Sequence, residues 1–281
     1  AKKNKKRSTV STVLYILLYV LIMLGVLGGM FTFLSVVLCG AFTAAGMGWL
    51  YFALMGLVAI LLGTFGSVFN TYAGLYLSKD NDLLFSLPIP VRYIMISRLA
   101  SVYLMGLMYS AVVILPADIV YWVTMPFSVE TLVGPILLTF LISVFVLVLS
   151  CLLGWVIAKI SQKLKHKSFI TVIVSLVFLG AYYFFYFKAQ EMIQDLIQNV
   201  MIYGAKIKGA AYPIYLFGAA GTGEPLAMLL LTAIVAAAFA LVWYLISRSF
   251  IKLATATGSA RKAKYKETTA KVKNVRAALL E

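Results

Sequence analysis

From Val10 to Leu77 the chain carries no charged side chain. A run of that length is several times the ~20 apolar residues that cross a bilayer as one helix. A turn-rich break, GAFTAAGMG at 40–48, divides it into two spans, 10–38 and 49–77. Both exceed a single crossing, so tilt or protrusion is expected. Composition agrees, with 63% apolar and 12% charged residues and a mean hydropathy of +1.00. Soluble domains carry about twice that share of charge, so the chain reads as a multi-pass membrane protein.

Further apolar runs predict a third span ending near Met125, a fourth over 132–158, an aromatic fifth over 169–187 and a sixth over 225–247. The basic residues are sorted by side. Tracts 1–9, 78–98, 159–167 and 248–276 hold 21 of the 24 Lys and Arg, and the outer connection 188–208 holds three. Positive charge gathers on the cytoplasmic side, so six spans with both termini cytoplasmic are expected. The fold class is an all-α bundle of six transmembrane helices over 1–250, followed by a basic tail, 251–281, that reads as a linker to a missing second half. The net charge of +15 reflects topology, and a nucleic-acid partner is excluded.

The inner loop 78–98, SKDNDLLFSLPIPVRYIMISR, is the segment most suited to being gripped. Asp80 or Asp82 caps a short helix, and Leu83, Leu84, Phe85 and Leu87 form its apolar knob. Pro88 ends that helix, because the residue before a proline is driven out of the α region. Pro90 suits the first turn of the next. In the outer connection, Met192, Ile193, Leu196, Ile197, Val200 and Met201 interleave with Glu191, Gln194, Asp195, Gln198 and Asn199. That period gives an amphipathic helix lying in the outer interface or capping the bundle.

No catalytic motif and no metal-ligand constellation occurs, so no catalytic or metal residue is expected. GAAGTGEP at 218–225 lacks the lysine of a phosphate loop and reads as a turn. Cys39 and Cys151 read as small packing residues rather than a disulfide, and His166 as a solvated loop residue. Asp118 is the ionisable residue placed inside a span. Its distance from Arg98 sets it near the outer interface, hydrated or paired with Lys188, Lys206 or Lys208; a proton relay is the competing reading. Asn70 is expected to make an interhelical hydrogen bond, and Gly25 with Gly29, and Gly63 with Gly66, to allow close helix approach.

DLLFSLPIPVRYIMISRLAS resembles the segment between the second and third helices of ABC-2-type transporter permeases, the membrane subunits of bacterial exporters. The resemblance implies that this loop is a coupling helix seated in a separate cytoplasmic ATPase. Asp82, Leu83, Leu84, Phe85, Ser86, Leu87, Pro88 and Arg92 would form the contact or its brace. It also implies ATP and Mg on the partner, no cofactor on this chain, a second six-helix half (a second copy, a related chain or a missing part of this one), surrounding lipid, and a bacterial cell membrane. The expected function is therefore a permease subunit of an ATP-driven exporter. An ATP-independent scaffold or assembly factor using the same loop is the alternative, and a proton-driven transporter using Asp118 a third.

Overall fold

The computed structural model describes residues 9–76, 90–163 and 191–248, together with 176, 179, 180, 183, 184, 187 and 188. The described residues are helices joined by short turns. The elements are α1 Thr9–Ile22, a wide π turn Met23–Leu27, α2 Gly28–Ala44, α3 Gly48–Tyr76, α4 Val91–Thr124 and α5 Val129–Lys163. Then come α6 (191–198), α7 Val200–Ala210, α8 Tyr212–Gly221 and α9 Pro225–Arg248. Among the described residues, five segments are long and apolar enough to cross a membrane: Gly25–Ala44, Gly48–Leu75, Val91–Thr124, Val129–Lys159 and Pro225–Arg248. The expected fifth span, 169–187, lies largely outside the described residues, as do His166, the tail and residues 77–89.

Boundaries shift from expectation in two places and hold in a third. α2 continues to Ala44, and the first break shortens to three residues closed by a Schellman turn. Gly46, at φ +70°, donates to Thr43 O (3.0 Å), and Met47 donates to Phe42 O (2.8 Å). Only glycine adopts that backbone freely, which is why the helix stops there. α4 begins at Val91, directly after Pro90, as expected of a proline suited to a helix's first turn, so Arg92 and Arg98 of the segment 78–98 lie on that helix. α5 begins at Val129 because Ser128 and Thr131 cap it reciprocally. Ser128 N donates to Thr131 Oγ1 (2.8 Å) and Thr131 N to Ser128 Oγ (3.1 Å).

The chain divides into two compact units. The first comprises 1–62, 108–142 and 190–233. Its defining feature is how closely α8 approaches α3 and α5. A methyl on Gly218 would strike the Trp49 carbonyl, and one on Gly221 the Phe52 ring. A methyl on Gly134 would fall 2.7 Å from Gly221 O. After α8 comes a second Schellman turn, with Gly223 at φ +92° donating to Ala220 O (3.1 Å) and Glu224 N to Ala219 O (3.0 Å). GAAGTGEP is thus more than a turn: its first four residues are a buried helical end. Without a hydrophobic drive between helices in lipid, such close packing supplies the association.

The second unit comprises 63–107, 143–189 and 234–281. Leu75, Met95, Leu99, Val148, Cys151 and Ile246 form its core. Gly106 faces Val146, and Ser67 Oγ meets Ser150 Oγ at 2.6 Å. At the basic helix ends in this unit, Arg92 lies over Tyr93, Lys159 over Trp155 and Arg248 over Tyr244, at 4.9, 4.7 and 5.1 Å from the ring centres. Such aromatic–basic pairs suit a membrane–water boundary.

The glycines the sequence singles out for close packing are not those that provide it in the first unit. A methyl at Gly25 or Gly29 would meet nothing within 4 Å. Gly25→Ala and Gly29→Ala are therefore expected to stay within about 0.5 kcal/mol of the unaltered chain. Gly218→Val and Gly221→Val should each lose at least about 2 kcal/mol through overpacking. Thermal unfolding in detergent micelles measures both pairs.

Candidate functional site

In the first unit, four helices bring polar side chains into an otherwise apolar interior. α2 contributes Ser35 and Cys39, α3 contributes Tyr51, α4 contributes Asp118 and Tyr121, and α5 contributes Thr139. Ser35 and Tyr51 are wholly buried, and Asp118 is 2% exposed. Asp118 is neither hydrated at the outer interface nor paired with a lysine, as the sequence reading expected. Thr139 Oγ1 donates to its Oδ2 at 2.6 Å, while Oδ1 has no hydrogen-bond partner. The error lay in taking distance along α4 as depth in the protein. α4 places Asp118 near the end of its span, but α3 and α5 cover it there.

Tyr51 holds the centre. Its hydroxyl donates to Ala117 O at 2.8 Å. It also lies against Ser35, whose own Oγ closes no hydrogen bond, and within electrostatic reach of Asp118 and Cys39. Its ring packs on Phe52 and Tyr121 at 5.1 and 6.3 Å between centres. Both cysteines are free and buried, in keeping with packing residues.

Prolines loosen both helices that carry the carboxylate and its donor. Pro116 sits two residues before Asp118, and Pro135 one turn before Thr139. Each removes an N–H from the helix ladder. At Pro135 the carbonyl released is that of Thr131, and the Trp122 indole N–H from α4 takes it at 2.9 Å. A side chain of one proline-bearing helix thereby repairs the other.

Of the residues expected to form a partner contact, Asp82, Leu83, Leu84, Phe85, Ser86, Leu87 and Pro88 lie outside the described residues. Arg92 stands exposed in the first turn of α4, donating to the Tyr93 hydroxyl at 3.0 Å. Asn70 does reach another helix, but from an exposed position and onto Met105 Sδ at 3.2 Å, a weak acceptor. Ser35, Tyr51 and Thr139 were missed by the sequence reading. Each is one polar residue in an apolar run, a pattern shared with Ser67, Ser143 and Ser150.

In the outer connection, α6 turns Ile193, Leu196 and Ile197 partly inward, but Met192 and Met201 stand 51% and 65% exposed. Asp195 organises this segment, accepting from Asn199 Nδ2 (2.8 Å) and from the Tyr203 hydroxyl. The bond to Asp195, and its negative charge, push the Tyr203 phenol above its ordinary range. The contact therefore stabilises the chain below that range and is lost as pH rises through the shifted value. Tyr215 links α8 to its surroundings, meeting Trp49 edge-on at 5.0 Å and Glu224 Oε2 at 3.3 Å.

Two of these phenols can be tested directly. Ultraviolet titration of Asp195→Asn should show one fewer late-ionising tyrosine than the unaltered chain, as Tyr203 returns to the ordinary range. Tyr51→Phe, which keeps the ring but drops the bond to Ala117 O, should cost about 0.5–1.5 kcal/mol in thermal unfolding.

No curated protein and no solved structure matches the chain significantly. The family described as "Membrane protein of 12 TMs" matches residues 13–281. This overturns the ABC-2-type resemblance: the motif in 79–101 is short, and the match that covers nearly the whole chain is to a different family. The chain belongs to the membrane proteins of twelve transmembrane segments.

Proposed function

We propose that the chain is the membrane-spanning permease of an ATP-driven exporter, energised by a separate cytoplasmic ATPase that docks on residues 78–98. The residues of that loop and the helix continuing from it support a cytoplasmic protein partner; that the partner is an ATPase and that the direction is export are what the proposal adds. The observation that carries it is α4, one continuous helix of 34 residues starting directly after Pro90. A helix rises 1.5 Å per residue, so Val91 and Asp118 lie about 40 Å apart along a single element. A partner that displaces the loop would therefore move the helix bearing the buried carboxylate. Pro116, two residues before Asp118, supplies a place for that helix to yield.

In this reading the chain hydrolyses nothing, ATP and Mg belong to the partner, and the setting is a bacterial cell membrane. A second six-helix half, in the same chain or another, completes the path. Twelve crossings in the family's description support a path built from more helices than the five described spans. The apolar knob Leu83 to Leu87 between Asp82 and Pro88 supports a protein partner for the loop.

The double change Leu84→Asp, Phe85→Asp is expected to abolish co-purification of an ATPase while leaving membrane insertion intact. An ATPase retained by that variant would sink the docking claim. A cytoplasmic partner without ATPase activity, lost in the same variant, would favour a scaffold or assembly factor instead.

A further inference from the structure

The buried polar cluster of the first unit has a charge problem that the proposed docking does not address. Asp118 is 2% exposed. One of its oxygens takes a single bond from a neutral hydroxyl, and the other has no partner. An isolated carboxylate in a low-dielectric interior is unfavourable by several kcal/mol unless a positive charge accompanies it. Among the described residues no lysine or arginine supplies one.

Thr139 of α5 bonds Asp118 and Tyr51 of α3 lies within electrostatic reach of it, while Ser35 and Cys39 of α2 and Tyr121 of α4 lie around Tyr51. They comprise hydroxyls, phenols and a thiol, and none is cationic. Two oxygens remain unengaged, Asp118 Oδ1 and Ser35 Oγ, with Tyr51 lying against Ser35 and within electrostatic reach of Asp118. A lone carboxylate is neutralised by one positive charge. Oxygen donors select a hard ion. Among the described residues no group of three or more His, Cys, Asp or Glu could hold a metal ion of higher charge.

We propose that Asp118, Ser35 and Tyr51 bind one small monovalent cation, a proton or a sodium ion, occluded between α2, α3, α4 and α5. The ion neutralises Asp118 at Oδ1, while Thr139 holds Oδ2 and fixes the orientation of the carboxylate. Pro116 and Pro135 lie within the two helices that carry Asp118 and Thr139, and bending there would admit and release the ion. The site is independent of how the protein is energised, so failure of ATPase docking leaves it standing.

Thermal unfolding of the purified full chain in lipid nanodiscs tests it, with sodium chloride exchanged for choline chloride at equal ionic strength and across a pH series. A rise of about 2–4 °C with sodium that Asp118→Asn removes identifies sodium. A shift with pH at constant sodium that Asp118→Asn removes identifies a proton. Should Asp118→Asn fail to elute as a folded species, Ser35→Ala decides. It is expected to weaken the apparent sodium affinity about tenfold, or to displace the pH response if the ion is a proton. Identical sodium and pH responses in the unaltered chain and in the variant that folds overturn the proposal.

Discussion

The close approach of α8 to α3 and α5 is the contact on which the first unit depends. Gly218 and Gly221 lie against Trp49 and Phe52 of α3, and Gly134 of α5 lies against the turn that ends α8. The polar residues of the site are carried by the same stretches. Tyr51 sits between Trp49 and Phe52, and Thr139 comes directly after Leu138, whose side chain also meets Gly221. In lipid, apolar side chains gain little by leaving their solvent for one another, so helix positions are set by shape and by hydrogen bonds. The glycines let backbones meet. The meeting of backbones then places a hydroxyl and a phenol beside a carboxylate.

Around that fixed contact the structure is built to yield locally. Pro116 and Pro135 each interrupt a helix ladder close to the site, and the Trp122–Thr131 bond shows how the lost donor is replaced from a neighbouring helix. The Thr131 carbonyl lies in the first turns of α5 beside Glu130, and there the indole supplies the donor that Pro135 lacks. A helix repaired by a side chain can also be released by moving that side chain. Flexibility in α4 and α5 is therefore tied to the packing between them, in the same unit as Asp118.

Helical class and membrane residence were legible because they depend on local composition. An uncharged run from Val10 to Leu77 cannot be a soluble domain, and five of the six expected spans fall on described crossing helices, the first of them displaced towards Ala44. Boundaries were read less well. The helix start at Val91 does follow Pro90 as expected, while the start of the helix at Val129 and the end of the one at Ala44 were displaced by caps and turns that hydropathy does not record. The family was misread because one proline-bearing loop motif carried more weight than the whole chain. Asn70 stood out by being polar in an apolar run, yet its partner is only a thioether.

By itself the sequence determined that the chain crosses a membrane repeatedly as helices, because that outcome depends on counts of apolar residues along a line. It also marked Asp118, since a carboxylate within an apolar span is conspicuous wherever the helix is placed. Only the tertiary structure decided that Asp118 is buried against Thr139 with Ser35 and Tyr51 near by, and that Gly134, Gly218 and Gly221 are the close contacts. Those facts join residues far apart in the chain. Helix packing in lipid turns on small differences in shape, which neither hydropathy nor spacing records.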